Sequence, residues 1–193
     1  LIDDFASQNR VLSCNFLYVD SEWSTLIEST KYAKWINQNS LWNAGTSKNF
    51  SDYLKQFNAN QRRNIKRERK AVEKAGIKVS VLNGNEINSQ LINIMYLFYK
   101  QHCAKWGAWG SKYLSKEFFD QLSRQEQRDK VVLFSAHRAD PTDPIAMSLC
   151  IKDKNMLWGR YWGSNEEINY LHFEVCYYSP IAWALDQGIS KFD

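Results

Sequence analysis

From residue 77 onward the hydrophobic and polar positions change period in a regular order. "IKVSVLNG" (77–84) alternates with period two and stops at a glycine, which predicts a strand. Residues 88–106 place Leu91, Ile94, Met95, Phe98, Tyr99 and Cys103 on one helical stripe. "SKEFFDQLSRQ" (115–125) predicts a short amphipathic helix with Ser115 as its cap, after a glycine-punctuated loop over 106–114. "KVVLFSAHR" (130–138) and "PIAMSLCIKDKN" (144–155) predict antiparallel strands joined by the turn "ADPTD". "MLWGRYWGS" (156–164) adds a third strand to the meander. Residues 169–188 return to helical spacing through Leu171, Val175, Tyr178, Ala182 and Leu185, with Pro180 either kinking that helix or opening a new one. "ISKFD" (189–193) predicts a last strand. The order is β-α-α-β-β-β-α-β, an α+β fold with a mostly antiparallel mixed sheet flanked by helices.

Upstream, Leu54, Phe57, Ile65, Val72 and Ala75 recur at helical spacing. Asn58 and Gln61 form a capping pair, and Gly76 stops the helix. This is also where charge changes the picture. Residues 62–74 hold seven Lys or Arg against two Glu, a net of +5, whereas the whole chain carries +4. The rest of the chain is therefore about neutral, and one helix carries the basic excess. Arg62, Arg63, Lys66, Arg67, Arg69 and Lys70 make it a candidate site for the phosphates of a donor, a glycan precursor or RNA; the alternative is a solvated helix face.

Composition bounds the rest. The 193 residues, 44% hydrophobic and 24% charged, suffice for a cored globular domain. No apolar run reaches the length of a membrane span, and no leader is recognisable, so a cytoplasmic protein is expected. The four cysteines are far apart and the histidines lack ligand spacing, so no metal site is expected.

The densest chemistry is "WGRYWGSNEEINYLHFEVCYYSP" (158–180). Acyl transfer to an amine needs a base, a donor to the leaving group and a surface that holds both reactants. Glu174 is the candidate base and His172 its orienter or substitute. Tyr177 and Tyr178 are candidate donors, and Trp158, Arg160 and Trp162 candidate substrate contacts. The alternative is a set of half-buried aromatics and satisfied ion pairs.

"FSDYLKQFNANQRRNIKRERKAVEKAGIKV", "FYKQHCAKWGAWGSKYLSKEFFDQL", "IAMSLCIKDKNMLWGRYWGS" and "LHFEVCYY" together resemble the FemAB-like N-acyltransferases, proteins of peptidoglycan biosynthesis or recognition. The resemblance runs from about Tyr32 to Asp193. It implies a GNAT-like fold in tandem modules. Residues 1–47 would then be the tail of a first module, with strands over 11–20 and 32–43 and a helix over 21–30. Residues 48–193 would be the connecting basic helix and a second module, in a chain that continues at both ends. It also implies an aminoacyl group passed from tRNA to a cell-wall precursor. The loop "SNEEINY" is acidic and lacks the glycines that cradle a pyrophosphate, so no tightly bound cofactor is expected, and the donor stays open between aminoacyl-tRNA and acyl-CoA. Two non-catalytic alternatives remain: a glycan- or peptidoglycan-recognition module, and an RNA-binding protein using the basic helix.

Overall fold

A computed structural model describes residues 1–193 apart from Leu17, Tyr18, Ser29, Lys31, Asn37, Asn39, Ala108, Trp109 and Ser111. The chain divides into two units, Leu1–Asn39 and Ser40–Asp193. The expected boundary at 47/48 thus falls eight residues later than this division.

The first unit contains α1 (Ile2–Gln8) and α2 (Ser21–Ile27). Asp20 caps α2 by accepting from the Trp23 N–H at 2.8 Å. Phe16 packs its ring near Trp23 and Tyr32, and the Tyr32 hydroxyl donates to Asp3. None of its described residues is buried. The strand expected over 11–20 is not found among the described residues there, and its Leu17 and Tyr18 lie outside them. The helix expected over 21–30 ends at Ile27, and its Ser29 lies outside the described residues.

The second unit is an α+β domain. Its elements are β1 (Trp42–Asn43), α3 (Phe50–Lys55), α4 (Ala59–Lys74), β2 (Lys78–Asn83), α5 (Ser89–Lys105), α6 (Lys116–Leu122), α7 (Gln125–Arg128), β3 (Val131–His137), β4 (Ala146–Asp153), β5 (Met156–Ser164), α8 (Leu171–Phe173), a π-turn (Glu174–Tyr178), α9 (Ser179–Asp186) and β6 (Lys191–Phe192). Of the strand expected over 32–43, only Trp42 and Asn43 are strand, and they pair with β6; its Asn37 and Asn39 lie outside the described residues. Within the loop expected over 106–114, so do Ala108, Trp109 and Ser111.

The sheet order is β1-β6-β5-β4-β3-β2. β3 through β5 form the expected antiparallel meander, β2 pairs antiparallel with β3, and β6 joins β5 in parallel. The period-two pattern of β3 shows why helices cover both faces. Val132, Phe134 and Ala136 enter one core with Val72, Leu171, Val175 and Ile181. Val131 and Leu133 enter the other with Leu91, Met95, Phe98 and Phe119. Every residue of β3 is buried, as a strand sandwiched between helix layers requires.

Two features of this frame position the candidate site. In β5 the pairing jumps from Cys150–Gly159 to Leu149–Tyr161, which leaves Arg160 as the extra residue of a β-bulge. Trp158, opposite Ile151, therefore lies on the α5 face, whereas Trp162, opposite Ser148, lies on the α9 face. The second feature follows Leu171. The helix expected over 169–188 is interrupted, because Pro180 has no N–H to close an α-turn on Cys176. The chain widens into the π-turn and resumes as α9 with Pro180 in its first turn. Tyr170, which precedes α8, takes the left-handed conformation at φ +67°.

Helix ends follow their local sequence. Asn58 and Gln61 complete a capping box on α4, with the Asn58 side chain accepting from Gln61 N–H at 3.0 Å and the Gln61 side chain accepting from Asn58 N–H at 3.2 Å. Gly76 at φ +74° closes the other end: its N–H donates to the Glu73 carbonyl and that of Ile77 to the Val72 carbonyl. No helix among the described residues is long and apolar enough to cross a membrane.

Candidate functional site

The residues singled out between 158 and 180 separate into two groups. The first lies under α4. The buried Glu174 carboxylate accepts from Arg69 Nε at 3.0 Å and Arg69 Nη2 at 3.0 Å. It also accepts from the Ser179 hydroxyl at 2.7 Å. The Arg69 guanidinium lies over the Phe50 ring, 4.5 Å from its centroid. Glu174 was the expected base, with His172 as its neighbour. In the structure it ties α4 to the π-turn, and its bonds to Arg69 and Ser179 hold it in the role of an accepting carboxylate.

Tyr178 belongs to the same group. Its hydroxyl donates to Glu68 at 2.5 Å, and burial followed by that acceptor raises the phenol well above its ordinary pKa. A tyrosine spending its proton on a carboxylate is a poor donor to a leaving group.

The second group is built of rings. His172 lies 4.6 Å from the Trp162 ring and 5.6 Å from Tyr177, centroid to centroid. His102, from the last turn of α5, also approaches Trp162, 6.2 Å between ring centroids. Trp106, Phe173 and Tyr177 are open to solvent around them. Burial is the main cause that lowers the pKa of both imidazoles; the charge of Lys105 adds to it at His102, and that of His102 at His172. Both rings are thereby held neutral, the form that can accept a proton.

His102 was not legible as a site residue. In sequence it stands seventy positions from His172, and only the close crossing of α5 over β5 joins them. That crossing depends on Gly163, where a Cβ would come 2.6 Å from the Phe98 Cβ.

The remaining expected contacts scatter. Trp158 is on the other face of the sheet. Arg160 leaves the bulge to meet Asp193, at 3.5 Å, and its own neighbour's carbonyl. Arg62 donates to the Phe57 carbonyl. Arg63, Lys66, Arg67 and Lys70 are exposed on α4 and have no ion-pair partner among the described residues. The acidic loop after β5 is partly neutralised, since Glu166 pairs with Arg138 at 2.6 Å. No group of three or more metal-ligating side chains gathers among the described residues.

Comparison with known proteins bears on what such a site serves. A family model, FemAB_like, described as peptidoglycan biosynthesis/recognition, matches residues 1–193. No curated protein matches the sequence. Among solved structures, the chain is similar to a conserved protein of unknown function from Bacteroides thetaiotaomicron VPI-5482, at 11% identity and a TM-score of 0.48. The match covers 79% of this chain and 48% of that one, so the chain spans about half the length of that structure.

Proposed function

The chain belongs to the FemAB-like family of peptidoglycan biosynthesis and recognition proteins, and from that premise we propose that it serves an N-acyl transfer to an amine of a cell-wall precursor. The reading places a GNAT-like groove at the end of β5, where Trp162, His172, His102 and Tyr177 meet. The observation that carries it is the half-buried His172, kept neutral by burial and packed on Trp162 beside open aromatic rings.

In this reading the acceptor lies against Trp162, Phe173 and Tyr177. Its amine attacks the carbonyl carbon of the donor. The new C–N bond forms as the bond to the donor's oxygen or sulfur breaks, and His172 takes the proton that the nitrogen sheds. Burial keeps His172 neutral until the amine approaches, and His102 packs against Trp162 beside it. Glu174 and Tyr178 hold the π-turn against α4 and take no part in the transfer.

The test is transfer of a labelled acyl group from aminoacyl-tRNA or acyl-CoA to a muropeptide precursor, followed by mass spectrometry of the acceptor. His172→Gln should lower turnover by about a hundred- to ten-thousand-fold while the melting temperature stays close to that of the parent. Undiminished turnover in a folded His172→Gln protein would end this assignment.

One observation favours a second reading, recognition without transfer. Trp106, Phe173 and Tyr177 present open rings of the kind that stack on sugar faces. Saturable binding of a muropeptide, with no acylated product from either donor, would select it.

A further inference from the structure

A second surface, separated from the ring cluster by the π-turn, has the makings of a ligand site. α3, α4, β2 and the start of α9 enclose an open groove of about 520 Å³. Its apolar lining includes Phe50, Leu54 and Val79, and Lys66, Arg69 and Lys70 contribute the positive charge.

Arg69 is the informative residue. Its Nε and Nη2 bind the Glu174 carboxylate, and one face of the guanidinium is covered by Phe50. Rotation is blocked on both counts. The Nη1 group has no partner among the described residues, and Arg69 is one of the residues that line the groove. A guanidinium ordered in advance loses little entropy when it binds a second anion.

The lysines complete the arrangement. Lys66 and Lys70 stand one helical turn apart, so their side chains rise as neighbours from the same wall. Neither has an anionic partner among the described residues. Glu73, one turn beyond Arg69 and Lys70, is the open acid of the lining and limits the positive stretch. With Glu73 and the Arg69-paired Glu174 the lining is net +1. Lys66, Lys70 and Arg69 offer more donors than a carboxylate can use, which suits the several acceptor oxygens of a phosphate monoester.

We propose that this groove binds an organic phosphate monoester with an apolar body. The phosphate would meet Arg69 Nη1, Lys66 and Lys70, and the apolar body would lie on Phe50, Leu54 and Val79. The inference does not rest on acyl transfer, and the assay below contains no acyl donor, so the two can fail separately.

Isothermal titration of the protein with decyl phosphate, below its micelle concentration, tests the proposal. Inorganic phosphate and the uncharged decyl glucoside serve as comparison probes. One decyl phosphate should bind per protein, at least about tenfold more tightly than either comparison probe. Lys66→Gln with Lys70→Gln should weaken it by about tenfold or more, with an unchanged melting temperature because both side chains are exposed. Glu73→Gln should tighten it, by about two- to fivefold, by removing the opposing charge. Equal affinity for decyl glucoside would reduce the groove to a greasy surface. Equal affinity for inorganic phosphate would reduce it to a plain anion site. Unaltered binding in the double lysine variant would overturn the proposal altogether.

Discussion

Replacing Glu174 by Gln separates a positioning role from a catalytic one. The change keeps the side chain's shape and deletes the charge that faces Arg69. Glu174 has 8% of its side chain exposed and Arg69 35%. Removing one partner of a fully buried pair costs about 3–5 kcal/mol, because the other charge is left stranded. Arg69 can recover part of that by turning its open third to water, so we expect a loss of about 2–3 kcal/mol. In a domain of this size each kcal/mol lowers the melting temperature by about 2–4 °C, for a total of about 4–12 °C. Thermal unfolding followed by circular dichroism measures it, together with Arg69→Met and the double variant. The double-mutant cycle should give a coupling of at least about 1 kcal/mol, since the two groups share their hydrogen bonds. An unchanged melting temperature with collapsed turnover would refute this and return Glu174 to the role of base.

Gly163→Ala should cost about 1–3 kcal/mol or more, because the added methyl meets both the Cβ and the backbone oxygen of Phe98, at 2.6 and 2.7 Å. Full stability in that variant would mean that α5 does not cross β5 as closely as described. Stability should also depend on pH through the three histidines, all of which have lowered pKa values with burial as the first cause. The unfolded chain then binds protons first, so this contribution is complete above about pH 6.5 and is lost as pH falls through the folded-state values. The slope is at most about 1.4 kcal/mol per pH unit for each histidine. Urea midpoints measured from pH 8 to pH 5 check it, and a midpoint that rises as pH falls would contradict the sign.

How much could be read in advance differs between fold and site. The meander was legible because the apolar runs of β3, β4 and β5 are bounded by the short connections 138–145 and 154–155, and β2 because it alternates up to Gly84. The ends of α4 were legible because Asn58, Gln61 and Gly76 act on their own local backbone. β1 was not, since two residues carry no period and its pairing with β6 is a contact between distant parts of the chain. The π-turn was half legible: Pro180 announces a break, but whether the helix kinks, restarts or widens depends on how it packs. The site fared worst for the same reason. Glu174 and His172 are two residues apart, yet they serve different surfaces, one facing Arg69 and the other Trp162. Their real partners lie on α4, β5 and α5, and nothing in local spacing encodes those distances.

The bulge at Arg160 turns this lesson into a test. Gly159 pairs with Cys150 and Tyr161 with Leu149, so β4 treats residues 159 and 161 as consecutive. Deleting Arg160 would leave a regular ladder with every other pairing unchanged, and Trp158 and Trp162 would keep opposite faces. The loss should be limited to the Arg160–Asp193 pair and some local twist, on the order of 1 kcal/mol given the exposure of the arginine. Deleting Tyr161 instead would put Arg160 opposite Leu149, in the core where the Tyr161 ring packs 4.7 Å from Tyr99. That deletion removes a partly buried aromatic, about 2–4 kcal/mol, and brings a charge against the core in its place. Two deletions, one residue apart, should therefore differ by several kcal/mol in chemical denaturation. If both unfold the domain alike, the pairing register of β5 is wrong, and with it the placement of Trp162 beside His172.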